Sequence, residues 1–294
     1  MGNAVFNRER ALKTVKNVVY YRSNERIFTM SDTLPFREIE AVVREAAGMI
    51  RAATVRPSDI HAKDGPANYV TEYDTRIQRF LIARFSELVP GAAFFGEEET
   101  EGCTREVSAG RTFFIDPIDG TTNFMFGYRY SCVSVGLAEA GRVTAGWVCN
   151  PYSDEMFSAR RGEGAFLNGA RLEIANRGLA EGIAVFDIAR YNDDDNGERI
   201  FAAAKELYRR AIAIRCCGSA ALDLCRIAAG ANVGYFQTKL QPYDYAAASV
   251  IVEEAGGVIG QLAGEPIALD GPCPIIAGTP HAAEEIRNIV RELK

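Results

Sequence analysis

The chain has 294 residues, of which 48% are hydrophobic and 24% charged, enough for one large globular unit or two closely packed halves. No apolar stretch reaches the roughly 20 residues of a membrane helix and no signal peptide opens the chain, so a cytoplasmic protein without membrane contacts is expected. A formal charge of −6 and a pI near 5.2 disfavour nucleic-acid binding as the main role.

Residues 1–30 carry six basic and two acidic side chains, +4, which leaves −10 on the remainder. Phe6 stands where an acylation motif needs Ser or Thr, and Glu9 and Glu25 interrupt a transit-peptide pattern. Residues 1–34 are therefore expected to be a loosely attached extension or the product of a mis-called start, with Met30 as the true first residue. From Phe36 to Ala53, Ile39, Val42, Val43, Ala46, Ala47 and Ile50 recur at helical spacing. Residues 54–72 lose that period and contain Pro57, Lys63, Asp64, Gly65, Pro66 and Asn68, the composition of a mobile loop. Asp74 then opens a second helix with Ile77, Phe80, Leu81 and Phe85 inward.

The apolar run Thr112 to Ile115 predicts a buried strand that ends in Asp116, Pro117, Ile118, Asp119, Gly120, Thr121, Thr122, Asn123 and Phe124. Tyr130 to Leu137, Val143 to Cys149 and Glu155 to Ala159 predict an antiparallel sheet, with a hairpin turn at Asn168 and Gly169. After about residue 180 strands and helices alternate: strand Ile183 to Ile188, helix Glu198 to Tyr208, strand Ala211 to Cys216, helix Ala220 to Ala229, strand Val233 to Phe236, helix Asp244 to Glu254. That order predicts parallel pairing and an α+β chain, with one subdomain over 35–180 and an α/β subdomain over 181–294.

Seven scattered cysteines without a Cys-x-x-Cys pair, and only two histidines, exclude most zinc schemes. Cys216 and Cys217 end an apolar run from Ala211 and are expected to be buried structural thiols. Asn192 to Gly197 imitates a calcium loop, but Ala203 stands where a bidentate glutamate is required. Gly162, Gly164 and Gly169 imitate a dinucleotide fingerprint but lead into a hairpin and not into a helix.

Acidic groups recur at predicted strand ends and helix starts: Asp74, Glu97 to Glu99 after Phe94 to Gly96, Asp116, Asp119 and Asp244. Singly, Asp74 and Asp244 read equally well as helix N-caps and the glutamates as a solvated loop. If they converge, mutual repulsion and desolvation require divalent cations, and all-oxygen ligands select Mg²⁺. Two carboxylates, a glycine turn and two hydroxyls at one strand end also suit phosphate.

The run from Asp116 to Phe124, the Phe95 to Glu98 segment before it, and Tyr243 to Ala247 followed by Glu253 to Gly257 resemble the signatures of the inositol monophosphatase family. The resemblance spans roughly Phe36 to Glu292. It implies a layered αβαβα sandwich of the sugar-phosphatase type, a homodimer, sensitivity to lithium, and two or three Mg²⁺ held by Glu97, Asp116, the Ile118 carbonyl, Asp119 and Asp244. It further implies that Asp74, Glu97 and Thr121 position and deprotonate the attacking water, and that Gly120 and Thr121 amides receive phosphate oxygens. Lys63 matches a family lysine that helps to settle the charge of the site.

On the substrate side the resemblance points to Asp119, Gly120, Thr121, Ser219, Ala220, Gln237 and Asp244. Gln237 stands where inositol-preferring members often have glutamate and Tyr243 where they usually have tryptophan, and an amide donates as well as accepts. The expected substrate is a small polyol or sugar phosphate, with inositol 1-phosphate first. Histidinol phosphate, fructose 1,6-bisphosphate, NADP and 3′-phosphoadenosine phosphates are the alternatives. A partner role in a transcription complex is the rival of another class, favoured only by the basic leader.

Overall fold

The computed structural model describes residues 21–23, 26–28, 34–63, 69–107, 109–187 and 197–292. The expected extension over 1–34 lies outside these apart from Leu34 and a short hairpin, β1 (Tyr21–Ser23) with β2 (Arg26–Phe28), and the calcium-like run lies outside them apart from Gly197. Helix α1 (Phe36–Ala52) buries the six apolar positions that its spacing selects. Strands β3 (Ile60–Ala62) and β4 (Tyr69–Thr71) pair antiparallel, so the segment expected to be an irregular loop has a hairpin stem. Helix α2 (Glu72–Leu88) starts two residues before Asp74, because Thr71 caps it. Its inward face includes Gln78, fully buried, while Phe80 is only partly buried.

Strands β5 (Ala93–Gly96) and β6 (Arg111–Asp119) run parallel, and a one-turn helix α3 (Thr121–Met125) follows. Next come β7 (Cys132–Glu139), β8 (Arg142–Asn150), β9 (Glu155–Arg160), β10 (Gly164–Leu167) and β11 (Ala170–Leu172). All seven form one sheet in the order β11-β10-β9-β8-β7-β6-β5, antiparallel beyond the β5–β6 pair. Asn168 and Gly169, at φ 48° and 81°, make the two-residue β10–β11 hairpin that their chemistry predicts.

The second sheet contains β12 (Ile183–Phe186), β13 (Ala213–Arg215), β14 (Asn232–Leu240), β15 (Val258–Gly260) and β16 (Cys273–Gly278), ordered β13-β12-β14-β16-β15. The expected parallel pairing holds for β13, β12 and β14, whereas β16 runs antiparallel to both its neighbours. Helices α4 (Gly197–Arg210), α5 (Ala220–Ala228), α6 (Pro242–Glu254) and α7 (Pro280–Glu292) alternate with these strands. Because β13 ends at Arg215, Cys216 is exposed and Cys217 half-buried, which corrects the expectation of two buried thiols. Cys132, Cys149, Cys225 and Cys273 are the buried ones.

Three apolar cores give five layers. Helices α1 and α2 cover one face of the first sheet through Ile39, Phe85, Phe113 and Trp147. Helices α5 and α6 lie between the sheets with Phe114, Leu222, Tyr245 and Ile251, and α4 and α7 cover the far face of the second sheet with Leu207, Phe236 and Ile286. This is the αβαβα sandwich. The 180/181 boundary falls between the sheets, yet α5 and α6 pack across it, so the halves share a core.

Helix α6 has apolar residues all round, as a helix enclosed on both sides must. It reaches the first sheet at Gly146, where an added Cβ would lie 2.3 Å from the Ala247 carbonyl oxygen. That contact is backbone on both sides and cannot be relieved by a rotamer change. Gly146→Ala is expected to cost about 3 kcal/mol by overpacking, read as a lower urea midpoint; an unchanged midpoint would show that the two layers are not in close contact.

Candidate metal and phosphate site

The parallel β5–β6 pair sets the first three carboxylates. Gly96 pairs with Ile115 where β5 ends, so Glu97 follows directly beside Asp116, which is still within β6, and the Glu97 amide donates to the Ile115 carbonyl at 3.0 Å. The ladder slips between Asp116 and Asp119, which brings Asp119 to the same edge opposite Cys132. The Asp116 carboxylate accepts from the Ile118 amide at 3.0 Å.

Asp74 and Asp244 arrive by a shared local device. Each is the third residue of its helix and turns one oxygen back to the residue before the helix: Asp74 accepts from the Thr71 amide at 2.8 Å, Asp244 from the Gln241 amide at 2.7 Å. The expected N-cap role is thus corrected by three positions, since Thr71 and Gln241 are the N-cap residues. The other Asp74 oxygen faces the site, and the single proton of the Thr121 hydroxyl has two acceptors within reach, that oxygen at 3.3 Å and the Ile118 carbonyl at 3.0 Å.

Burial is the largest cause that raises each of these acids. Asp74 is pushed up to about 7 by burial and by Glu97, and Asp119 to about 6 by burial, which its hydrogen bonds partly offset. Asp116 and Asp244 are held well above the usual carboxylate range by burial, with Glu97 and Asp119 adding repulsion at both and Asp74 and Asp244 at Asp116. Glu98, 8% exposed, is also raised by burial and Glu97. Lys63 reaches one edge of the group, 3.2 Å from Glu97 and 2.5 Å from Glu98, and those carboxylates outweigh the burial that would discharge it.

One ammonium cannot neutralise six carboxylates. Ligand oxygens of Asp74, Glu97 and Glu98 lie within 4.8 Å of one another, a spacing that could hold a metal ion. All the oxygens at the site belong to carboxylates, a hydroxyl and carbonyls, which fits a hard divalent cation. The residues present therefore fit the group that their charge demands.

Asp119 is fastened from the second half of the chain. Ser219 donates to it at 2.5 Å, and the Ala220 and Ala221 amides donate at 3.2 and 2.9 Å from the start of α5. Ser219 and Ala220 thus orient a carboxylate of the site directly. Gly120, at φ 89°, turns the chain between Asp119 and α3, and a Cβ there would lie 3.0 Å from the Gly218 and Tyr130 carbonyl oxygens. Gln237 is buried near the end of β14; its amide oxygen accepts from Tyr235 and its nitrogen donates to the Lys239 carbonyl at 3.4 Å.

Gln78 and Arg105 escaped the sequence reading, as did the role of Asn123. Gln78 holds the Glu98 backbone at both ends, accepting from its amide at 3.0 Å and donating to its carbonyl at 2.7 Å. Arg105 donates to the Gly96 carbonyl at 2.9 Å, and Asn123 ties α3 to the Cys217 carbonyl at 2.7 Å. Glutamine at an inward helical position was the one available signal, since such a side chain must find partners.

Residues 32–294 match the inositol monophosphatase family. Inositol monophosphatase 1 of Bos taurus is 32% identical over 245 residues, 82% of this chain and 88% of its own length. The structure of extragenic suppressor protein suhB from Bartonella henselae superposes with a TM-score of 0.78 at 28% identity, covering 87% of this chain and 98% of that one. The inositol monophosphate-bound structure of SaIMPase-II superposes with a TM-score of 0.72 at 25% identity, covering 87% and 94%, and the same enzyme has been solved with 2′-AMP.

Proposed function

The chain belongs to the inositol monophosphatase family and is a phosphoric monoester hydrolase, and we propose that it is a Mg²⁺-dependent one acting on a small polyol or sugar phosphate, inositol 1-phosphate first. The observation that carries this is the gathering of Asp74, Glu97, Asp116, Asp119 and Asp244 around the Gly120 turn, each aspartate raised by burial. SaIMPase-II, which binds inositol monophosphate, supports the substrate class.

Glu97, Asp116, the Ile118 carbonyl, Asp119 and Asp244 would hold two or three Mg²⁺, which when bound supply positive charge to the phosphate and the attacking water. The Gly120 and Thr121 amides receive phosphate oxygens at the start of α3. Thr121 orients the water and passes its proton to the Asp74 oxygen 3.3 Å away. The water oxygen then bonds to phosphorus as the ester P–O bond breaks in line, the departing alkoxide takes a proton from solvent, and no phosphoenzyme forms.

Thr121→Val removes the hydroxyl and keeps the bulk. It is expected to lower kcat about 100-fold with little change in KM, while Thr121→Ser keeps most of the rate; an unchanged kcat for the valine variant would remove Thr121 from the proton path. Gln237 and Tyr243 bear on the alcohol. Phosphate release across inositol 1-phosphate, histidinol phosphate, fructose 1,6-bisphosphate, NADP, 2′-AMP and 3′-phosphoadenosine phosphate tests the substrate. Highest kcat/KM on inositol 1-phosphate is expected, and a nucleotide as clear winner would overturn the polyol assignment.

A further inference from the structure

A cleft of about 890 Å³ opens between the end of α1, the β3–β4 hairpin and the first turns of α2. Its walls carry Arg56, Arg76, Arg79 and His61. Its charge is opposite in kind to the carboxylate centre, from which Thr71 separates it: Thr71 lines the cleft and gives its hydroxyl to Asp74 at 2.6 Å. We propose that this cleft binds a small phosphate-bearing metabolite, at a site distinct from the reaction centre.

Three guanidinium groups line the cleft. Among the described residues none of them has a hydrogen bond or ion pair, although acidic residues outnumber basic ones, 39 to 33, along the chain. Two carboxylates also line the cleft and leave the arginines unpaired. Asp59 is spent on the Arg56 amide at 2.8 Å and the Ser58 hydroxyl at 3.1 Å. Glu72 stands four residues before Arg76, a spacing that allows a helical ion pair, yet the pair is not made. Arg76 and Arg79 share one face of α2, and Arg56 approaches from the loop before β3.

Like charges gathered on one concave surface raise the local potential and attract an anion. Guanidinium forks match the paired oxygens of a tetrahedral oxyanion better than a point charge does. The volume falls within the range of small-molecule sites, about 300–1,000 Å³.

Inorganic sulfate, a tetrahedral dianion that is not a reaction product, is a suitable probe. The Mg²⁺-loaded full-length protein, labelled with ¹⁵N-arginine, is titrated with it while the side-chain Nε–H signals are followed. Saturable shifts of Arg56, Arg76 and Arg79 are expected, with exposed Arg142 as the unaffected control. In Arg76→Gln/Arg79→Gln the remaining Arg56 signal should saturate at concentrations at least tenfold higher. Shifts at the three arginines that are absent, unsaturable or no larger than at Arg142 would overturn the proposal. So would an Arg56 titration unchanged in the double variant.

Discussion

Asp116→Asn is expected to lower phosphate release by about 1,000-fold or more while making the cation-free protein more stable. The two effects have one cause. Asp116 is 2% exposed and is repelled by Glu97, Asp119, Asp244 and Asp74. An asparagine keeps the oxygen that accepts from the Ile118 amide, so the strand end stays in place. Its amide group also donates toward carboxylates that the aspartate repelled. Without cations that relief is worth about 1–2 kcal/mol, or roughly 2–6 °C in melting temperature. With Mg²⁺ the variant lacks a ligand and the order reverses. Turnover within tenfold of the parent, or a cation-free protein destabilised by the change, would remove Asp116 from the proposed centre.

Removing divalent cations should make stability depend steeply on pH. In the cation-free fold Asp74 stands at about 7 and Asp119 at about 6, against ordinary values of 3.8. Asp223, buried beside Tyr130, is raised to about 7 by its burial. Across this window the folded state binds more protons than the unfolded chain, so stability present below the ordinary pKa is lost as pH rises toward 7. Glu155 runs the other way, since burial, which raises it, is outweighed by Arg226, Ser153 and Asn150 together, but it is one group against several. In EDTA the melting temperature should therefore fall as pH rises from about 4 to about 7. Mg²⁺ at about 100 times its dissociation constant adds about 2.7 kcal/mol per ion, roughly 5–10 °C at pH 7. Equal melting temperatures in EDTA and Mg²⁺ at pH 7, measured by calorimetry, would contradict the assignment of a cation centre.

The sequence carried the layers further than their contacts. Periodicity placed α1, and Asn168 with Gly169 placed the β10–β11 turn, because each depends on local chemistry alone. The middle position of α6 was less legible: Ala246, Ala247 and Ala248 show that it packs closely, but only the facing Gly146 in β8 shows against what. The exposure of Cys216 is not legible because β13 covers only Ala213–Arg215 of the apolar run from Ala211, and the chain then turns at Gly218 to bring Ser219 to Asp119. For the site, acidic groups at strand ends were readable one by one. Their aim was not, since it comes from Asp74 and Asp244 folding back on the residues before their helices and from Gln78 gripping Glu98 across 20 positions. The arginine-lined cleft is not legible in sequence because Arg56 and Arg79 come to one cleft only through the β3–β4 hairpin and the start of α2.

Clustered carboxylates that act through Mg²⁺ on a phosphate ester make turnover depend on the cation. Phosphate release from inositol 1-phosphate by the full-length chain, measured in EDTA and then across a Mg²⁺ titration, tests it most directly. The expected result is no release in EDTA and a saturable rise with Mg²⁺. Release that is equal with and without the cation would contradict it.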